Sequence, residues 1–301
     1  MTSANLRKNR LLLTGLSLLA GLAVFLGAQA FVSRQPAGKR VDKAERYQSA
    51  LQNNQAFYDL AFGFTKVKPA AENEAIGAIV PHHLLAADLM AGVYRSLAGR
   101  EFDTIILIGP DHYQAGQSPV TTSLEDWQTP FGILKNDNRS VEEFLKDDTV
   151  KVDEALFERE HAVYNQIGFI KRTFPDAQVV PLALSPNVSA EQAGRLADVC
   201  LGLAAAKKVL VLVSADFSHN TDSATAVENN KQSLKIINNF DLASVPMMQV
   251  DSPPAILTIL EIAQRQKAIF KLLADSNSGL LAGQPDIQDV TSYLTGYFFA
   301  P

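Results

Sequence analysis

The chain has 301 residues, of which 47% are hydrophobic and 20% are charged, a composition that is ordinary for a packed globular protein. Its formal net charge of -5 and isoelectric point near 5.6 provide no basic field for a phosphate backbone, so nucleic acid is not expected as a partner. A single cysteine, Cys200, excludes an intramolecular disulfide framework and any all-cysteine metal cluster.

The amino-terminal residues 1–34 are predicted to form a membrane anchor. The run from Leu11 to Val32 is apolar and uncharged, and it is long enough to cross a bilayer as a helix, which takes roughly 20 residues. The basic residues before it are Arg7, Lys8 and Arg10. They favour a single-pass topology that puts the main domain outside the cytoplasm. The alternative is a cleaved signal segment, because Ala28-Gln29-Ala30 fits a signal peptidase site.

Residues 35–75 are interpreted as a polar, partly helical connector. It carries an aromatic cluster of Phe57, Tyr58, Phe62 and Phe64. These rings either pack the connector onto the main domain or line the mouth of a pocket. Residues 76–301 contain no linker composition and are predicted to form one domain.

From Ile76 onward, strand-like apolar runs alternate with segments of helical spacing. The runs Ile76–Val80 and Thr104–Ile108 flank a helical segment, Leu84–Leu97, and this order predicts two parallel strands with a crossover helix. Further strands are predicted at Val179–Leu184, Val209–Val213 and Tyr293–Phe299, and a turn at Thr129–Gly132. Further helices are predicted at Val141–Lys146, Glu160–Phe174, Glu191–Ala206, Asp222–Phe240 and Pro254–Gln266. We therefore expect an α/β domain with a mostly parallel central sheet flanked by helices.

All five histidines lie at or just beyond predicted strand ends or at a helix start. They are His82, His83, His112, His161 and His219. If the first two strands are neighbours, their carboxyl ends deliver His82 and His112 to the sheet edge where open α/β sheets bind ligands. Neutral imidazole is a common ligand of iron, copper and zinc, so a divalent transition metal is expected. Spacing alone leaves the third ligand open.

Five segments in this order resemble motifs of the Memo family: VPHHL, IGPDHYQ, TPFG, EHAVYNQIGFIKRTFPDAQVVPLAL and SADFSH. The resemblance covers the chain from about Ile76 to its end. The family is similar in fold to the class III extradiol dioxygenases, and in many prokaryotes it is named as the B component of the AmmeMemoRadiSam system. The resemblance therefore implies an extradiol-dioxygenase-like fold and a metal held by two histidines and a third residue.

Carried over residue by residue, the resemblance makes His82 and His112 metal ligands. The family's third position is usually a cysteine, and the matching segment here begins with Asp251. Two histidines and one carboxylate favour a non-haem iron site, so Fe(II) is the expected metal, with copper or zinc as alternatives. The rival interpretation is that Asp251 only caps the helix predicted at Pro254–Gln266.

The resemblance also implies inner polar roles for Glu160, His161, Asp216 and His219, either in orienting a ligand histidine or in acid/base catalysis. For Asp216 the alternative is a turn or cap after its strand. The chain departs from the family at His83, where a small residue is usual, and at Tyr164 and Asn165, near a position that is usually acidic. His83 is therefore expected to shape the pocket rather than to bind the metal.

Together these features predict a Memo-like metal-binding protein, in the form of an iron-dependent oxidoreductase or dioxygenase acting on a small chelating substrate. The alternative is a membrane-tethered protein that binds a metal or ligand without turnover. Metal-assisted hydrolysis would use the same ligands. A radical-enzyme partner would be cytosolic, which conflicts with the predicted topology.

Overall fold

The computed structural model describes residues 45–46, 54–69 and 74–301. Among these residues, no helix combines the length and the apolar composition that crossing a membrane requires. The predicted anchor, Leu11–Val32, lies outside the described residues, so the prediction stands as made from the sequence.

A mixed eight-stranded sheet forms the centre of the part of the chain that the structure describes. Its strands are β2 (Ala75–Val80), β3 (Thr104–Pro110), β4 (Val120–Thr122), β7 (Val150–Val152), β8 (Gln178–Leu184), β9 (Val209–Ser214), β10 (Ile269–Asn277) and β11 (Ser292–Phe299). Their spatial order is β10-β11-β2-β9-β3-β8-β4-β7. The central strands β2, β9, β3 and β8 are all parallel. A small second sheet consists of β1 (Glu45–Arg46), β5 (Asp126–Thr129) and β6 (Gly132–Leu134).

Helices cover both faces of the central sheet. In the described residues they are α1 (Gln55–Phe64), α2 (Ala87–Leu97), α3 (Asn138–Phe144), α4 (Glu154–Phe157), α5 (His161–Thr173), α6 (Ala190–Ala204), α7 (Ser223–Asn239), α8 (Pro253–Arg265) and α9 (Ser278–Leu281). Short 3-10 helices span Leu84–Ala86 and Leu242–Met247. The predicted α/β class, with a large sheet flanked by helices, is confirmed.

Alternation along the central strands divides the core into two layers. In β3, Ile106 and Ile108 pack with α6 and α8, whereas Ile105 and Leu107 pack with α1, α2 and α5. Both faces of the strand are buried, which explains why its sequence is a continuous apolar run rather than an alternating one. A sheet enclosed in this way exposes its ends, and the polar residues that follow the strands line one such end.

Two features of the sheet differ from the sequence-based expectation. The strands β2 and β3 are parallel as predicted, but β9 lies between them, so they are not neighbours. The short strands β4 and β7 were not predicted, and neither was β10, which forms an edge of the sheet by antiparallel pairing with β11. Its exposed, partly charged sequence lacks the apolar run that identified the buried strands.

The helix α1 falls in the segment interpreted as a connector, and three of its four aromatic residues pack against α5, whereas Phe64 is exposed. Tyr58 is fully buried, with its ring 4.8 Å from that of Phe169 in α5. Gly168 makes this approach possible, because a Cβ atom there would lie 1.9 Å from the Tyr58 hydroxyl oxygen. Arg172 further binds α1 through an ion pair with Asp59. Packing, rather than a pocket-lining role, accounts for Tyr58.

Candidate metal site

The carboxyl ends of three adjacent parallel strands deliver the polar residues of the site. His82 follows β2, His112 follows β3, and Asp216 follows β9, which lies between the other two strands. Because parallel strands all point the same way, residues far apart in the sequence meet at one edge. The rings of His82 and His112 lie 4.9 Å apart between centroids and are nearly perpendicular.

Glu160 fixes the orientation of His112. Its carboxylate accepts hydrogen bonds from the backbone N–H of His112 at 2.9 Å and from Nδ1 of the same residue at 2.8 Å. It also accepts from the backbone N–H of Ala162 and so caps the amino terminus of α5. In the neutral ring Nδ1 carries the donated proton, and Nε2 of His112 then has its lone pair for a ligand.

A serine fixes His82 in the same way. The Ser214 hydroxyl donates to the carbonyl oxygen of Ala162 at 2.6 Å, and its oxygen lies 3.2 Å from His82 Nδ1. Because the hydroxyl has only one proton, it must accept from Nδ1, which leaves Nε2 of His82 unprotonated in the neutral ring. Both histidines therefore present Nε2 to the same region.

Asp251 completes this arrangement from the amino-terminal side of α8. Its Oδ2 atom lies 3.2 Å from His82 Nε2 and 3.7 Å from His112 Nε2. Donor atoms that share one ion at bond lengths near 2.1 Å lie about 3.0–3.5 Å apart. The distance to His82 lies within this range and the distance to His112 is slightly longer, so Asp251 Oδ2 is placed to share an ion with both rings.

Asp216 also contacts His82. Its Oδ1 atom accepts a hydrogen bond from the His82 backbone N–H at 3.1 Å, and its Oδ2 atom lies 3.4 Å from His82 Nε2. Two hydrogen bonds join the two aspartates. The backbone N–H of Asp216 donates to Asp251 Oδ2 at 3.0 Å, and the backbone N–H of Asp251 donates to the carbonyl oxygen of Asp216 at 3.0 Å. Asp216 is thus more than a local turn residue, because it contacts a different strand end.

The charges of the site are strongly coupled. Burial lowers the pKa of His112, but hydrogen bonds to Asp251 and Glu160 outweigh this effect and raise the pKa to about 10. Burial also opposes the upward shift of the His82 pKa, which Asp216 and Asp251 cause. Burial raises the pKa of Asp251, but His82 and His112 overcome it and hold this pKa far below its usual range. Without a metal, the aspartates and Glu160 therefore favour the protonated forms of His82 and His112.

His161 differs from the other two histidines. Its ring stacks on that of His112 at a centroid distance of 4.1 Å. Burial, followed by repulsion from His82 and His112, lowers its pKa to about 4. His161 is therefore neutral at physiological pH and able to accept a proton.

The donor atoms form two overlapping groups in the described residues, one of His82, His112 and His161 and one of His82, Asp216 and Asp251. Within each group, the donor atoms lie within 4.8 Å of one another. The Oδ1 atom of Asp251 is buried and makes no hydrogen bond to any described residue. A buried carboxylate oxygen without a partner is costly, and a cation would satisfy it. The residues present thus fit a divalent metal ion.

The family model for "Memo-like protein" matches residues 45–297. The chain belongs to the Memo-like family. A MEMO1 family protein of Methanosarcina mazei is 30% identical over 180 residues, which cover 58% of this chain and 65% of the relative. A MEMO1 family protein of Methanosarcina barkeri is 31% identical over 179 residues, which cover 58% of this chain and 66% of the relative. A MEMO1 family protein of Aquifex aeolicus is 31% identical over 156 residues, half of this chain and 41% of the relative. The alignments thus span less than two thirds of each relative's length.

In this Memo-like protein, the structure brings together six of the seven predicted site residues. They are His82, His112, Asp251, Asp216, Glu160 and His161. The seventh, His219, is exposed and belongs to neither donor group of the described residues. The capping interpretation of Asp251 is wrong, because Ser252 occupies the N-cap position of α8.

His83 does not join the donors. Its Nδ1 atom lies 2.7 Å from the hydroxyl oxygen of Tyr293 at the start of β11. This contact holds the imidazole against a buried tyrosine. The expectation that His83 shapes a pocket stays a prediction. Burial and nearby His82 and His219 lower its pKa.

Four residues that support this Memo-like site were missed by the sequence analysis: Ser214, Tyr293, Asn165 and Gln166. Asn165 donates to the carbonyl oxygen of His82 at 2.7 Å, and Gln166 donates to that of Pro81 at 2.7 Å. Both amides come from α5 and fix the backbone that carries His82. Of these four residues, only Asn165 stood out in the sequence, as a departure from the family pattern. That departure did not predict its hydrogen bond to the carbonyl oxygen of His82.

Proposed function

We propose that this protein is a metal-dependent oxidoreductase of the dioxygenase type, which binds Fe(II) and acts on a small chelating substrate. The observation that supports this proposal best is the spacing of Asp251 Oδ2 from the Nε2 atoms of His82 and His112, at 3.2 and 3.7 Å. Two histidines and one carboxylate on one side of an ion are the donor set of non-haem iron oxygenases. The similarity in fold between the family and extradiol dioxygenases supports the same reaction class.

Fe(II) in this set would supply open positions for dioxygen and for a chelating substrate. The protein's own residues orient and deprotonate that substrate. His161 is placed to accept a proton from a substrate hydroxyl group, because its ring stacks on that of His112 beside the proposed ligands. Glu160 and Ser214 hold the two ligand rings, so that their Nε2 atoms stay directed at the ion.

The first test is metal content after purification without dioxygen. We expect about one iron per chain in the wild type and a loss of iron in His82→Ala and in Asp251→Ala. The matched control is Asp289→Ala, which changes an exposed aspartate elsewhere on the surface. A titration with catechol should then change the absorption spectrum of the iron-loaded protein. No iron, or an unchanged spectrum, would refute the proposal.

A second function, metal binding without turnover, is favoured by the crowding of the site. Besides the three proposed ligands, His161 and Asp216 offer donor atoms within reach of the same region. If all five bound one ion, few positions would remain for dioxygen and substrate. Dioxygen uptake that requires both the metal and His112 would establish catalysis, whereas tight iron, copper or zinc binding without uptake would establish the binding function.

We also propose that Leu11–Val32 tethers the chain to a membrane, with the metal-binding domain outside the cytoplasm. The uncharged run and the preceding Arg7, Lys8 and Arg10 support this topology. A reporter fused after Pro301, active on only one side of the membrane, tests it. Activity on the cytoplasmic side would reverse the topology and would make a radical-enzyme partner accessible.

A further inference from the structure

The donor groups are unequally exposed, and this difference defines the open side of the site. The side chains of His82, Asp216 and Asp251 are 1%, 4% and 9% exposed, whereas those of His112 and His161 are 22% and 33% exposed. The stacked rings of His112 and His161 are therefore the donor groups most accessible to a ligand from solvent.

Tyr113 and Arg159 lie on that side. The ring of Tyr113 is 6.4 Å from that of His161, edge to face, and the guanidinium carbon of Arg159 lies 5.2 Å from the Tyr113 ring centroid. Tyr113 directly follows His112 in the chain, and Arg159 directly precedes Glu160. Both rim residues are thus held next to the site by the backbone of residues that the site fixes.

The charge of Arg159 is not neutralised by a carboxylate of the described residues. The Arg159 side chain is exposed and forms no ion pair there, unlike Arg172, Arg195 and Arg265, which pair with aspartates. The adjacent Glu160 carboxylate is occupied by hydrogen bonds from His112 and Ala162. A guanidinium group that stacks on a tyrosine keeps its planar donor edge available for a carboxylate.

Two tyrosines lie near His161 on this side. Tyr113 is 52% exposed, and Tyr164 lies on α5 with its ring also 6.4 Å from that of His161. Two tyrosines beside an open histidine pair offer flat surfaces to a planar ligand. The rim therefore combines aromatic surface with one positive charge.

We propose that Arg159 and Tyr113 select a planar chelating ligand that carries a carboxylate group. The guanidinium group of Arg159 binds the carboxylate, Tyr113 contacts the flat body of the ligand, and the chelating oxygens reach the metal site. This inference rests on the proposed function, because it assigns the substrate class of that same site.

The test compares three catechol probes on the full-length iron-loaded protein under argon, by calorimetric titration. The probes are caffeate, its uncharged amide, and catechol, which lacks the side chain. Wild type, Arg159→Gln and Arg159→Lys are compared with Arg139→Gln, which removes an exposed arginine on α3. The measured quantity is the ratio of the affinities for caffeate and its amide.

We expect wild type and Arg139→Gln to bind caffeate about five-fold more tightly than the amide, as for one partly exposed ion pair. Arg159→Gln should bring the ratio close to one without changing the affinity for the amide, and Arg159→Lys should retain part of the preference. The preference in wild type should also weaken as salt is added.

Two results would overturn the inference, and they differ in meaning. If catechol and both caffeate probes bind but the ratio is the same in Arg159→Gln as in wild type, the role of Arg159 is refuted while the chelating site stands. If none of the three probes binds the iron-loaded wild type, the proposed function itself fails, and the inference fails with it.

Discussion

The carboxylate of Glu160 holds His112 at two points, the backbone N–H at 2.9 Å and the ring Nδ1 at 2.8 Å. This double contact sets both the position and the tautomer of the imidazole. Glu160 is fully buried, so its negative charge acts on His112 with little screening by solvent.

The substitution Glu160→Gln is therefore expected to lower metal affinity by about 10- to 100-fold, the range typical for residues that orient a ligand histidine. Competition titration with a chromophoric chelator measures the change. The control is Glu142→Gln, which alters an exposed glutamate on α3 and should leave the affinity unchanged. An affinity equal to that of wild type would show that Glu160 serves only as the cap of α5.

Replacement of Asp251 separates its role as a ligand from any structural role. Asp251→Ala is expected to lower iron affinity by more than about 100-fold. This loss is larger than that typical for residues that only orient a ligand by a hydrogen bond. Asp251→Cys should restore metal binding. Because a thiolate is a softer ligand than a carboxylate, this variant should prefer zinc and copper over iron. Metal analysis of each variant by mass spectrometry gives the result. Equal iron content in all three proteins would contradict ligation by Asp251.

The stability of the metal-free protein should depend on His112. Its pKa is raised from 6.5 to about 10, so the folded state binds this proton more tightly than the unfolded state. The resulting stabilisation is complete below about pH 6.5 and is lost as the pH rises to about 10. Urea denaturation across this range should show a falling free energy of unfolding. Glu160→Gln should flatten the decrease, and a free energy that is independent of pH would contradict the assigned charge state.

Alanine substitutions at two helical glycines are expected to change the stability of the protein in opposite directions. Gly168→Ala places a Cβ atom 1.9 Å from the buried Tyr58 hydroxyl oxygen, and such overpacking costs about 1–3 kcal/mol of stability. Gly202→Ala has no atom within 4 Å of the new Cβ and should stabilise the protein by about 0.5–1 kcal/mol. Thermal and urea denaturation measure both. A stabilising Gly168→Ala would indicate that α1 does not pack against α5 as observed.

The apolar runs before His82 and His112, and the helical spacing of the segments between the strands, were sufficient to predict most of the central elements. These patterns depend on residues close in the chain, whose periodicity is set by the strand or helix they form. They also explain why β10 was missed, since an exposed edge strand has no continuous apolar run to reveal it.

Which distant residues meet was decided only by the tertiary structure. The sequence placed His82 and His112 at strand ends, but packing inserted β9 between those strands and so brought Asp216, which follows β9, into contact with His82. The role of Asp251 depends on distances to both histidines, and no local pattern contains them. Secondary structure follows from neighbouring residues, whereas the site requires the fold, because its donors come from separate elements whose relative positions only the packed core determines.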